Sequence, residues 1–98
     1  MGAKLINMNT GDIAILNKPV FRVGREKGFV DFVVTDRAIS RSHCDFVQRG
    51  NRWYIVDCNS TNHTYVDGEQ IPSNIEVPLR YNSRVHLANV PFLFEEVL

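Results

Sequence analysis

Cys44-Asp45-Phe46-Val47-Gln48-Arg49, then Gly50-Asn51, then Arg52-Trp53-Tyr54-Ile55-Val56-Asp57 is the stretch from which the fold can be read. Side chains of a strand alternate between two faces. In the first arm Cys44, Phe46 and Gln48 therefore share one face, and in the second Trp53, Ile55 and Asp57 oppose Tyr54 and Val56. Two alternating runs joined by a glycine-containing dipeptide predict a β-hairpin.

The same pattern repeats on both sides of this hairpin. Lys4-Leu5-Ile6-Asn7 and Ile13-Ala14-Ile15-Leu16 flank Asn9-Thr10-Gly11-Asp12 and predict a second hairpin. Val20-Phe21-Arg22-Val23 follows Pro19 and stops at Gly24, and Asp31-Phe32-Val33-Val34 predicts a short buried strand. Thr64-Tyr65-Val66, the turn Asp67-Gly68 and Glu69-Gln70-Ile71 form a tight hairpin, because this dipeptide tolerates positive φ. Ser83 to Ala88 and Phe92 to Glu96 are two further strands, separated by Asn89-Val90-Pro91. Helical periodicity is absent. About ten to eleven short strands at this spacing predict an all-β chain, a two-sheet antiparallel β-sandwich. The irregular stretch from Pro72 to Asn82 is expected to cross the sandwich and to carry no chemistry.

At 98 residues the chain supports one domain, residues 1–98, which closes a single core without disulfides or metal. A formal net charge of +0 argues against a general nucleic-acid binder, which needs a cationic excess to displace counterions. Any anion site must then be local. Between Asp36 and Arg52 stand four arginines against two aspartates, a cationic excess that is also compatible with a solvated edge. Cys44 and Cys58 are too few for a disulfide framework and read as reduced core residues. Lys4, Asn7, Asn9 and Asp12 interrupt the first fifteen residues, so neither a signal peptide nor a membrane span is expected there. A cytoplasmic setting is the default expectation, with the chain read as a module of a longer protein.

Three short stretches have the chemistry of anion-handling loops: Gly24-Arg25-Glu26, Ile39-Ser40-Arg41-Ser42-His43, and Asn59-Ser60-Thr61-Asn62-His63-Thr64. A phosphate dianion needs charge-assisted donors, and a guanidinium supplies planar, bidentate ones, with serine and threonine hydroxyls beside it. Loops present such groups outward while strands hold them from behind. Each stretch alone is ordinary loop composition; their order along the chain is what carries the signal.

In these residues the chain resembles the forkhead-associated domain, a small β-sandwich that binds phosphothreonine peptides, from about Lys4 to Val97. The likeness rests on Val23-Gly24-Arg25-Glu26, on Ile39-Ser40-Arg41-Ser42-His43-Cys44, and on Asp57-Cys58-Asn59-Ser60-Thr61-Asn62-His63-Thr64-Tyr65-Val66-Asp67-Gly68. The departure is His63, which occupies the usual glycine.

The resemblance implies that Arg25 grips the phosphate; the alternative from sequence alone is a surface arginine paired with Glu26 or Asp31. It implies that the Ser40 hydroxyl donates to a phosphate oxygen, against the alternative of a serine bonding its own turn. Arg41 can point at the ligand or into solvent, Thr61 adds a further donor, and the Asn62 amide holds the peptide main chain in register. Gly24 and His43 are expected to support the site structurally, His43 by bonding from inside the loop base to hold the serine loop and the loop before it. A hydrolase triad of Ser40, His43 and Asp57 is the competing reading of that histidine. A metal site from His43, Cys44, Cys58 and His63 fails because adjacent strand residues point to opposite faces. No enzyme activity, cofactor or metal is expected.

His63 is expected at positive φ, at a modest strain of ~1 kcal/mol. An imidazole near a dianion is more protonated at mildly acid pH, so binding is expected to strengthen as pH falls. The implied partner is a threonine-phosphorylated protein or peptide, a Ser/Thr kinase or its substrate being the expected kinds, with no nucleic acid and no membrane. The rival function is a phosphate-independent interaction or scaffold surface; the presence of Arg25, Ser40, Thr61 and Asn62 together favours the phosphate reader.

Overall fold

The computed structural model describes residues 2–97. Eleven strands form two facing sheets: β1 (Gly2–Asn7), β2 (Ile13–Ile15), β3 (Val20–Gly24), β4 (Phe32–Val33), β5 (Cys44–Arg49), β6 (Arg52–Asp57), β7 (Thr64–Val66), β8 (Glu69–Gln70), β9 (Val77–Pro78), β10 (Arg84–Leu87) and β11 (Val90–Val97). One sheet has the order β2-β1-β11-β10-β7-β8 and the other β4-β3-β5-β6-β9. The β5–β6 hairpin has the predicted register, with Cys44 opposite Asp57 and Gln48 opposite Trp53 across the Gly50-Asn51 turn. Gly50 takes φ 62°, which a residue without Cβ adopts freely. In the β7–β8 hairpin Asp67 and Gly68 both lie at positive φ, 50° and 87°, the geometry that matches strand twist.

The alternation seen in the sequence is the alternation of burial. Cys44, Phe46, Trp53 and Ile55 face inward from the second sheet and meet Leu5, Val85, Leu87, Phe92 and Phe94 from the first. Phe46 stacks on Phe94 at 6.1 Å, and Trp53 meets the same ring edge-on. Burying each of these large side chains contributes roughly 1.5–3 kcal/mol relative to exposure.

Four expectations need correction. The Asp31 to Val34 segment is not a buried strand: β4 covers only Phe32–Val33, Val33 is 37% exposed, and the strand lies at a sheet edge, paired parallel to β3. The parallel pairing follows from a loop that returns along the sheet edge, pinned by Asp31, whose carboxylate accepts from Lys18 Nζ at 2.6 Å and the Arg22 amide at 2.8 Å. The stretch from Pro72 to Asn82 does cross between sheets, but it contributes β9, paired with β6, and the Ser73 hydroxyl serves a loop base described below. Cys44 is fully buried as expected, whereas Cys58 is half-buried; both thiols are free. Strand β11 also starts earlier than the sequence suggested: Val90 and Pro91 are within it, and a two-residue turn at Ala88-Asn89 makes the reversal.

Candidate functional site

The loops after β3, β4 and β6 converge at one end of the sandwich, and backbone hydrogen bonds tie them together. The Arg25 amide donates to the carbonyls of Ser40 and Arg41 at 3.0 and 3.1 Å, and the His43 amide donates to Val23 O at 2.9 Å. Gly24 makes this approach possible. A Cβ at that position would stand 2.1 Å from the Arg41 carbonyl oxygen, a distance no side chain can occupy. The expected structural role of Gly24 is therefore a matter of space at a backbone crossing.

His43 is fully buried beneath the loops. Its Nδ1 accepts from the Ser40 amide at 3.0 Å, which places the ring proton on Nε2, and Nε2 donates to the His63 carbonyl at 3.0 Å. Burial holds its pKa below the ordinary value of 6.5, outweighing the His63 carbonyl bond, so the ring is neutral. The ring thus joins the serine loop to the loop after β6, whereas the expectation had it holding the loop after β3; that loop is held by backbone bonds instead. The triad reading lacks its geometry. Both ring nitrogens are engaged with main-chain groups, which leaves no acceptor for a serine proton.

In the sequence Asp57 has no assigned role beyond that of a candidate triad member; in the structure it is the buried acceptor at the base of the loops. It is 1% exposed and accepts hydrogen bonds from the hydroxyls of Ser60, of Thr64 at 2.6 Å and of Ser73 at 2.7 Å, together with the Ser60 amide at 3.2 Å. Burial pushes this carboxyl's pKa up, but the hydroxyl and amide bonds outweigh it and leave the group below its ordinary value. The signal was present in the sequence. Asp57 stands on the inward face of β6 with Trp53 and Ile55, and a carboxylate there needs several donors.

Above this base the five predicted ligand-facing residues come together as a rim. Ser40 Oγ accepts from the Thr61 amide at 3.0 Å, a bond that fixes the oxygen and leaves its own proton to donate outward. The Asn62 Nδ2 donates to the Ala38 carbonyl at 3.0 Å, which positions the amide and leaves Oδ1 and a second N–H. The Arg25 Nε donates to the Ile39 carbonyl at 2.9 Å. Neither carboxylate that sequence offered as its partner takes it: Asp31 pairs with Lys18 and Glu26 with Arg41. The two terminal nitrogens of Arg25 are thus without an acidic partner among the described residues, on a guanidinium already oriented by its third nitrogen. Arg41, undecided from sequence, places Nε 3.2 Å from Glu26 Oε2.

At the site's edge His63 has φ 70°, the left-handed conformation that glycine adopts freely and that was expected of this position. Its carbonyl receives both the His43 ring and the Ala88 amide at 2.9 Å, which secures the strained residue from two sides. Beside the rim, Ala38, Asn62, Tyr65, His86 and Ala88 border an open, largely apolar groove of about 620 Å³. Among the described residues no cluster of three or more histidine, cysteine or carboxylate side chains could hold a metal ion, and no helix is long and apolar enough to cross a membrane.

Comparison with known proteins places this architecture. The family model described as the FHA domain matches residues 21–88. FhaB, an FHA domain-containing protein of Mycolicibacterium smegmatis, is 36% identical over 67 residues, which is 68% of this chain and 42% of that protein. The match therefore spans less than half the length of that relative. EmbR of Mycobacterium tuberculosis, solved in complex with a low-affinity phosphopeptide, superposes with a TM-score of 0.89 at 27% identity over 97% of this chain and 24% of its own. The FHA domain of CT664 from Chlamydia trachomatis superposes with a TM-score of 0.89 at 26% identity over 100% of both chains. The sandwich superposes on these solved structures, and with residues 21–88 matched by the family model the chain belongs to the FHA-domain family.

Proposed function

We propose that the loop end receives a phosphothreonine peptide and thereby recruits a threonine-phosphorylated protein, a kinase or a kinase substrate being the natural kinds. The observation that carries this reading is Arg25: a guanidinium anchored through Nε to Ile39 O, without a carboxylate partner among the described residues, beside a Ser40 hydroxyl whose oxygen is already held by the Thr61 amide. Such preorganisation lowers the cost of ordering donors around an anion. In this reading Arg25, Ser40, Arg41 and Thr61 hold the phosphate and Asn62 holds the peptide main chain. FHA domains bind phosphothreonine peptides, and EmbR, a structural relative, is solved with a phosphopeptide.

Residues 1–98 act as one recognition module, and binding proceeds without turnover, since the engaged His43 ring supplies no base. The two free thiols fit a reducing compartment and support a cytosolic setting. The test is binding of a degenerate phosphothreonine peptide library, with matched phosphoserine and unphosphorylated controls, to the wild type and to Arg25→Ala. Binding confined to phosphothreonine and lost in the variant is the expected result. A folded wild-type protein that binds no phosphorylated member would refute the reading.

A further inference from the structure

The rim has two flanks. Along the loop that carries Ser40, the Ala38 side opens to the broad groove beyond Asn62, and the Arg41 side opens to a smaller depression of about 180 Å³ lined by Glu26, Phe29, Arg41 and Ser42. Phe29 is the most exposed large hydrophobic residue among the described ones, at 68%. A turn closed by the Phe29 amide on the Glu26 carbonyl at 3.2 Å, with Gly28 at φ 95°, brings the Phe29 ring and the Glu26 carboxylate to the same depression. Across it stands Arg41, its Nε on Glu26.

We infer that this depression is a subsite for a basic side chain of the bound peptide, lysine or arginine, on the side of the phosphothreonine away from Asn62. The inference rests on the phosphopeptide reading. Arg41 has two competing acceptors there. Its bond to Glu26 is an exposed ion pair, weak because water competes for both charges. A phosphate carries more charge and three strong acceptor oxygens, so it outcompetes a single exposed carboxylate for the same guanidinium. The exchange leaves the Glu26 carboxylate without its cation and next to an exposed aromatic ring. A lysine or arginine of the peptide restores the lost charge pairing and lays its apolar stem, or its cation, on the Phe29 ring. An acidic residue at the same place meets the bare carboxylate and is disfavoured.

The experiment measures affinities, by fluorescence anisotropy, of phosphothreonine peptides carrying Lys, Ala or Glu at each of the three positions on either side of the phosphothreonine. At one position the Lys peptide is expected to bind about fivefold more tightly than the Ala peptide, the size of one exposed ion pair. Glu26→Gln is expected to abolish that preference and to bind the Ala peptide at least as tightly as the wild type, because Arg41 is released. Phe29→Ala is expected to reduce the Lys preference without inverting it. Phosphate-dependent binding with no Lys preference at any position, or a preference that survives Glu26→Gln, overturns the subsite and leaves the phosphopeptide reading standing. Failure of every phosphorylated peptide to bind the wild type overturns both.

Discussion

The base and the rim of the loop cluster lie within a few residues of each other and are built on opposite terms. At the base, His43 and Asp57 are buried and their polar atoms are committed to the protein: both imidazole nitrogens, and a carboxylate taking three hydroxyls and an amide. At the rim, Arg25, Thr61 and Asn62 are exposed, and each keeps donors or acceptors in reserve beyond the bond that fixes it. A buried polar group with an unmet bond is costly, whereas an exposed one exchanges water for a ligand at little loss. The division separates residues that make the site from residues that use it. Substitutions at the two levels should consequently fail in different assays.

The largest effect is expected at the base. Gly24→Ala drives a Cβ into the Arg41 carbonyl, and the backbone crossing has no flexible side chain to yield; a loss of about 3 kcal/mol or more in denaturant-measured stability is expected. His43→Ala comes next, because it strands the Ser40 amide, removes one of the two donors of the His63 carbonyl and leaves a void, a loss of about 2–3 kcal/mol. This histidine also sets a pH dependence. Its pKa in the folded chain is depressed, so between that value and 6.5 the unfolded chain binds more protons, and the stability it contributes is full above about pH 7 and declines as pH falls below 6.5. Asp57 extends the decline below its ordinary value of 3.8, since its folded pKa is also lowered. Urea midpoints measured between pH 8 and pH 5 should fall in the wild type and stay flatter in His43→Gln. A flat wild-type profile would place the imidazole outside the base.

At the rim the expectation reverses. Arg25→Ala should weaken phosphopeptide binding by roughly 10- to 150-fold, the loss of a charge-assisted bond, while the unfolding free energy measured in urea changes by less than about 0.5 kcal/mol. Comparable losses of stability in Arg25→Ala and His43→Ala would erase the distinction between the two levels. The smallest effect is expected between them, at His63. His63→Gly relieves a left-handed residue and should stabilise the fold by about 1 kcal/mol or less, part of the gain being lost to the greater freedom of glycine in the unfolded chain. Phosphopeptide affinity of this variant at pH 8 and pH 6, beside the wild type, tests whether the imidazole itself aids binding.

What was legible in the sequence was local. The β5–β6 and β7–β8 hairpins announce themselves because two-residue periodicity and turn chemistry agree there, and the three loops that meet at the rim could be singled out because their composition and order resemble the family's pattern. What was not legible depends on distant partners. β9 is two residues long, includes Pro78 and has no periodicity to detect; only its pairing with β6 makes it a strand. β4 became a parallel edge strand because Asp31 pins the returning loop. Arg41 could not be assigned, since its partner Glu26 is fifteen residues away in sequence and across a backbone crossing in space. The task of Asp57 needed Ser60, Thr64 and Ser73 to be gathered around it, the last from a stretch read as inert.

The register of β1 has a kinetic meaning. It runs antiparallel to β11 from Gly2 opposite Val97 to Asn7 opposite Phe92, so the opening and closing strands of the chain are neighbours in the first sheet. During synthesis the second sheet can assemble as soon as β9 has emerged, but the first cannot close until β11 follows, and β1 must wait with its apolar face unmatched. Such non-local pairing slows folding, because the entropy of closing a long loop is lost before the contacts it brings together can form. A ribosome-bound chain lacking β11 would therefore present half a sandwich, and the bond from the Ala88 amide to the His63 carbonyl, at the edge of the rim, would be among the last contacts of the loop cluster to form.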